Sequence, residues 1–177
     1  SSDRLWQSGL GLPDRDYSCN TEAGVAKNRA AYPGHIARML QFLGRDSASA
    51  VVLGRDVMAF ETELAKGHWS RVDLRNLDKA YNPMSAADLA AKAPGFDWTG
   101  YLATLGVAGV DPIVVGQPSA MTAFGKLAAA TPSETWRDYL TAHWVSAQAP
   151  FLSHAFVDAN GAFYGKALSG VPELRAR

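Results

Sequence analysis

Apolar residues recur along this chain at helical spacing far more often than they alternate. From about Asn20 to Leu43, the positions Val25, Arg29, Tyr32, Ile36, Met39 and Leu43 fall along one side of a helix and are mostly apolar. Pro33-Gly34 sits inside that pattern. Proline lacks a backbone donor and crowds the preceding turn, so a kink or short break is expected there. A second helix is predicted from Ser47 to His68, with Leu53, Val57, Phe60 and Leu64 buried. Arg55, Asp56, Glu63 and Lys66 turn to water, and Gly54 weakens that helix locally.

Further along, Ser85 with Asp88 forms a capping-box signature for a short helix ending before Pro94. Asp97 caps another through Leu105, closed by Gly106. "DPIVVG", residues 111 to 116, is the one convincing strand, because it is β-branched and bounded by Pro and Gly. A helix from Pro118 to Ala129 follows. Thr131-Pro132-Ser133-Glu134 then starts a helix, with Thr131 as cap and Glu134 reaching back. Its inner face is predicted to be Trp136, Leu140, His143, Ala147 and Phe151. Pro150 lies within or ends that helix, and a last helical segment runs to about Tyr164. The pattern predicts a mainly α chain of about six to eight helices, with at most one or two short strands. Residues 1–177 read as a single, largely helical domain, with residues 1–19 an extended lead-in. Both ends look cut from a longer protein.

Composition narrows the classes. Hydrophobic residues make up 47% and charged residues 19%, as in a globular domain. Lys plus Arg equals Asp plus Glu at 17 each, so no cation excess exists for nucleic acid or an anionic membrane surface. No apolar run approaches the roughly 18 residues that span a bilayer, and none reads as a signal peptide. Cys19 is the only cysteine and cannot form an internal disulfide.

The candidate chemistry gathers in a connector, "GHWSRVDLRNLDKAYNPMS", Gly67 to Ser85. Asp73, Arg75, Asp78 and Lys79 alternate in sign around Leu74, Leu77 and Tyr81, which suits a loop pinned by ion pairs and packed on one side. A zinc-protease helix needs H-E-x-x-H, whose two His share one face. The four His stand in "GHIAR", "GHWSR", "AHWVS" and "SHAFV", and none is followed by Glu. His143 and His154 on one helix would lie roughly 16 Å apart, too far for one zinc ion. No G-x-S-x-G elbow occurs, and "GAFYGKA" lacks the spacing and the Ser or Thr of a phosphate loop. The residues themselves give no catalytic group and no metal ligand in this chain. A small site around His68, Arg71 and Asp73, and a stand-alone helical binding module without catalysis, remain alternatives.

"GLGLPDRDY" (Gly9 to Tyr17), "ELAKGHWSRVDLRNLDKAYNPMS" (Glu63 to Ser85), "APGFDW" (Ala93 to Trp98) and "AFYGKALSG" (Ala162 to Gly170) occur in this order. Together they resemble the neprilysin-type zinc metalloendopeptidases, and the bacterial PepO-like members in particular, over essentially the whole chain. The resemblance implies the N-terminal, helical capping part of a bacterial enzyme, periplasmic or extracellular, that cleaves peptides. It implies zinc in the full-length enzyme, held by residues C-terminal of Arg177, and no cofactor in this chain. The implied partners are the missing C-terminal catalytic domain and peptide substrates. Trp69, Arg71, Arg75, Tyr81 and Asn82 would then line the substrate chamber wall without catalysing. Helices that face a missing domain should also show unburied Leu, Phe or Trp.

Overall fold

Residues 3–19 and 23–169 are described by a computed structural model of the chain. A two-residue strand β1 (Arg4–Leu5) precedes helices α1 (Arg15–Cys19), α2 (Ala23–Phe42), α3 (Ser47–Gly67) and the single turn α4 (Arg71–Leu74). Strand β2 (Asn82–Met84) leads to α5 (Ala86–Lys92) and α6 (Trp98–Thr104), and β3 (Ile113–Val115) to α7 (Pro118–Ala130). Then come α8 (Ser133–Gln148), a 3-10 turn (Ala149–Phe151), α9 (His154–Asn160) and a π-helix (Gly161–Leu168). The chain is mainly α, as its periodicity implies. The start of the first predicted helix, residues 20–22, lies outside the described residues.

These elements form two compact units, Ser1–Leu10 with Glu63–Thr131, and Gly11–Thr62 with Pro132–Arg177. In the first, β3 is the middle strand, parallel to β1 (Arg4 opposite Val114) and antiparallel to β2 (Met84 opposite Ile113). All three β3 residues are buried, which is why an unbroken apolar run, not an alternating one, marks this strand. Met84, Leu89, Ala93, Trp98, Val115, Ala120 and Met121 make the core, and Phe96 and Phe124 pack edge-to-face against each other beside it. Ser85 caps α5 as predicted: its hydroxyl accepts from the Asp88 N–H (3.1 Å), and the Asp88 carboxylate accepts from the Ser85 N–H (3.4 Å). Such a cap contributes about 1 kcal/mol.

In the second unit, Met39 of α2 meets Val145, Ala149 and Ala159. Helix α2 runs unbroken through Pro33, so the predicted short break is absent. Gly54 also gains a role beyond weakening α3. A Cβ there would strike the Pro33 carbonyl oxygen, so the missing side chain lets α3 approach α2 closely at the proline.

Two expectations about α8 are corrected. Thr131 does not cap it: its hydroxyl donates to the Leu127 carbonyl (2.6 Å) and finishes α7, leaving Pro132 at the N-cap without a side-chain bond. With only two residues between the helices, the hydroxyl serves the nearer carbonyl four residues back. The buried face is also different, being Tyr139, Ala142 and Val145 and not Leu140, Ala147 and Phe151. Ala142 is buried, and the small Ala149 of the following turn packs with Met39 of α2 and Ala159 of α9.

Candidate functional site

The connector begins where α3 ends and is held down by its first residues. His68 is buried. Trp69 is clamped through its backbone: its N–H donates to Gln7 Oε1 (2.7 Å) and its carbonyl accepts from Gln7 Nε2 (3.2 Å). Gln7 in turn donates its own N–H to Oε1 of the fully buried Gln117 (2.8 Å). The Trp69 indole N–H donates to Ser119 Oγ (2.7 Å). Ser70 then caps α4, accepting from the Asp73 N–H (3.1 Å) and donating to Asp73 Oδ2 (2.6 Å). Lys79 Nζ lies 3.8 Å from Asp73 Oδ1.

Of the five residues singled out from sequence, Trp69 and Asn82 are thus fixed by the frame. Asn82 Nδ2 donates to the carbonyls of Lys79 (2.7 Å) and Val115 (3.1 Å), tying the connector's end to β3. Arg71, Arg75 and Tyr81 are exposed on the surface of the same unit. The expectation of a loop packed on one side holds only in part. Leu74 is half-buried, but Leu77 and Tyr81 are exposed, as is Val72. Of His68, Arg71 and Asp73, the first is buried, the second exposed and the third engaged by Ser70 and Lys79. Separately, no group of three or more His, Cys, Asp or Glu side chains that could hold a metal ion occurs among the described residues.

A second polar cluster was not singled out from sequence. In the other unit, Glu61 of α3 is fully buried. Its Oε1 accepts from Tyr32 OH (2.7 Å) and pairs with His143 Nε2 (2.8 Å), while Oε2 accepts the Gly11 N–H (2.7 Å). A carboxylate only accepts, so Nε2 of His143 carries the hydrogen of that bond. Tyr139 packs its ring on His143 with centroids 4.4 Å apart. Burial and the Glu61 charge push the phenols of Tyr32 and Tyr139 up, and that of Tyr164 up to about 12. One signal could have found it: Glu61 stands on the apolar stripe between Val57 and Leu64, a lone charge on a buried face.

The π-helix sets Phe163 and Tyr164 around His35. Phe163 stacks on the imidazole (4.8 Å between centroids, 13°) and Tyr164 meets it edge-on (5.3 Å, 85°). Burial first, and the Arg38 charge second, lower the His35 pKa from 6.5 to about 4, against a hydrogen bond with the Ala159 backbone. The unfolded chain therefore takes up a proton near pH 6.5 that the folded chain refuses until about pH 4. Stability should fall as pH drops through that window, by at most about 1.4 kcal/mol per pH unit from this group. A His35→Leu variant, compared by denaturant titration across the window, should lose that part of the slope. Equal slopes would rule the residue out as its source.

A family model described as peptidase family M13 matches residues 3–177. The open-state structure of the zinc metalloprotease Zmp1 of Mycobacterium tuberculosis is 36% identical and superposes with a TM-score of 0.91. That match covers 98% of this chain and 27% of the Zmp1 chain. Endothelin-converting enzyme 1 of Cavia porcellus is 29% identical over 163 residues, 89% of this chain and 21% of that enzyme. PepO of Lactobacillus rhamnosis, 20% identical over 98% of this chain and 27% of its own, shares the fold with a TM-score of 0.76. The chain therefore spans between a fifth and a third of the length of each.

Proposed function

The chain belongs to peptidase family M13, and from that premise we propose that it is the helical, non-catalytic part of a longer zinc endopeptidase. In this reading it walls the chamber in which peptides are cut and helps to limit them by size. The observation that carries it is the superposition of 98% of this chain on about a quarter of a zinc metalloprotease. No three metal-donor side chains converge among the described residues, so these residues do not fit a zinc ion. Zinc and the catalytic domain are assigned to parts of the longer protein outside residues 1–177, and the enzyme to the periplasm or the cell exterior.

Trp69, Arg71, Arg75, Tyr81 and Asn82 fit the role of wall rather than catalyst. Trp69 and Asn82 hold the connector's shape through main-chain and side-chain bonds, and the two guanidinium groups and the Tyr81 ring stand at its surface. Exposed Arg pairs well with peptide carboxylates, and an exposed Tyr with apolar side chains.

The test is made on two proteins. Residues 1–177 alone should bind no stoichiometric zinc by metal analysis and should leave a quenched fluorogenic peptide uncut. Zinc-dependent cleavage by that chain would overturn the silent role. In the full-length protein, Arg71→Ala with Arg75→Ala should shift KM or the peptide-length profile while kcat holds. A fall in kcat at constant KM would count against a wall position. The reading frame beyond Arg177 should encode H-E-x-x-H, and a stop codon there would favour the stand-alone binding module.

A further inference from the structure

Helix α8 is apolar on two sides, and its own unit covers only one of them. Tyr139, Ala142 and Val145, followed by Ala149, face the core, and Val145 is 0% exposed. On the other side Leu140 is 57% exposed, Trp144 62% and Phe151 83%, with Ala147 exposed between them. Within α8, Leu140, Trp144 and Ala147 are spaced four and three residues apart, as on a helix seam that takes up the side chains of a second helix laid alongside, and Phe151 stands out from the 3-10 turn that follows.

Charge sharpens the contrast. No Asp, Glu, Lys or Arg occurs from Tyr139 to Val157. By comparison α3 turns Arg55, Asp56, Glu63 and Lys66 outward, as a face bathed in water does. A long run without charge, carrying Leu140 and Trp144 exposed on the helix and Phe151 on the turn after it, is a surface built to be covered. The same spacing made this side read as the inner face from sequence alone.

We propose that this face of α8 is the docking surface for an apolar helix of the same longer polypeptide, from outside residues 1–177. The inference rests on the reading that the chain is part of a longer peptidase. Three observations favour this occupant. The matched fold takes up only 27% of the Zmp1 chain, leaving most of that chain available as covering structure. The seam spacing fits a helix. The absence of charge fits an apolar partner permanently in place, since a partner that comes and goes is ordinarily met by a polar rim.

The experiment places a photo-crosslinking amino acid at position 144 of the full-length protein, and a control at position 56 on the charged face of α3. Irradiation should join position 144, within one polypeptide, to a peptide from outside residues 1–177, and position 56 to none. Joining of two copies through position 144, or no product there, would overturn the proposal. So would joining to a peptide within residues 1–177. As a second measurement, Trp144→Lys should lower the Tm of the full-length protein and Asp56→Lys should leave it unchanged. Equal Tm values for both would also count against it. If the reading frame encodes no further domain, the underlying reading fails before this test begins. If it does encode one and position 144 does not reach it, only the docking assignment fails.

Discussion

Replacing Glu61 with Ala should destabilise the unit built from Gly11–Thr62 and Pro132–Arg177 by about 3–5 kcal/mol. The side chain is fully buried and accepts three hydrogen bonds, from Tyr32 OH, His143 Nε2 and the Gly11 N–H. Truncation leaves all three donors facing a space with no acceptor, and each buried donor so stranded costs roughly 1–3 kcal/mol. The effect reaches far along the chain, because one carboxylate joins the loop at Gly11 to α2, α3 and α8. Glu61→Gln should fall between the wild type and Glu61→Ala. It keeps one acceptor oxygen but turns an amide NH2 toward a group that also donates. His143→Ala alone should cost less than Glu61→Ala, since the imidazole is partly open to water and the carboxylate keeps its other two donors. A double-mutant cycle of the two, read by denaturant unfolding, should give a coupling energy of about 1 kcal/mol or more. A Glu61→Ala protein within about 0.5 kcal/mol of the wild type would show that the cluster is not holding this unit together.

Why this cluster escaped sequence reading is instructive. Tyr32 and His143 were legible as inner-face residues, but nothing local says that a carboxylate 29 residues from one and 82 from the other joins them. Long α3 was legible because stripe and polar face alternate over many turns, and α5 because its capping box is local. Strand β3 showed itself as a β-branched run, whereas β1 and β2 span two and three residues and leave no alternation to detect. Their existence depends on pairing with a partner that lies far along the chain. Helix α8 misled for another reason: a helix apolar on two faces offers periodicity two answers, and the small residues Ala142 and Ala149 mark the tightly packed one. The family resemblance drew attention to Trp69 and Asn82, which do hold the connector's shape, whereas the alternation of charged and apolar residues suggested packing on one side. It gave no sign that Leu77 and Tyr81 would stand out to water. The family phrases were legible because they are long and ordered, a property independent of any one contact.

Gly125→Val should destabilise the other unit by ~3 kcal/mol or more, for a reason opposite to cavity formation. A Cβ at Gly125 would lie 2.8 Å from the Ala93 carbonyl oxygen and meet that of Pro94 as well. Neither oxygen can rotate away, because both belong to the backbone of one turn. From the other side, Gly95 holds φ +104, and a Cβ on it would collide with the Gly125 carbonyl. The two glycines therefore let α7 rest directly on the turn after α5. Two hydrogen bonds depend on that turn or on its closeness to α7: the Trp98 indole N–H to the Ala93 carbonyl (2.7 Å), and the Thr122 hydroxyl to the Lys92 carbonyl (2.9 Å). Pushing α7 outward to admit a valine would lengthen the second and disturb the packing of Trp98 against Phe124. Gly34 of α2 gives the matched control, since a Cβ there meets nothing within 4 Å and its φ is not positive. Gly34→Ala should stabilise by up to about 1 kcal/mol, because alanine has less backbone freedom to lose on forming helix. Thermal unfolding of the two variants should therefore move in opposite directions from the wild type. If Gly125→Val melts with the wild type, the close approach of α7 is not a constraint on this fold.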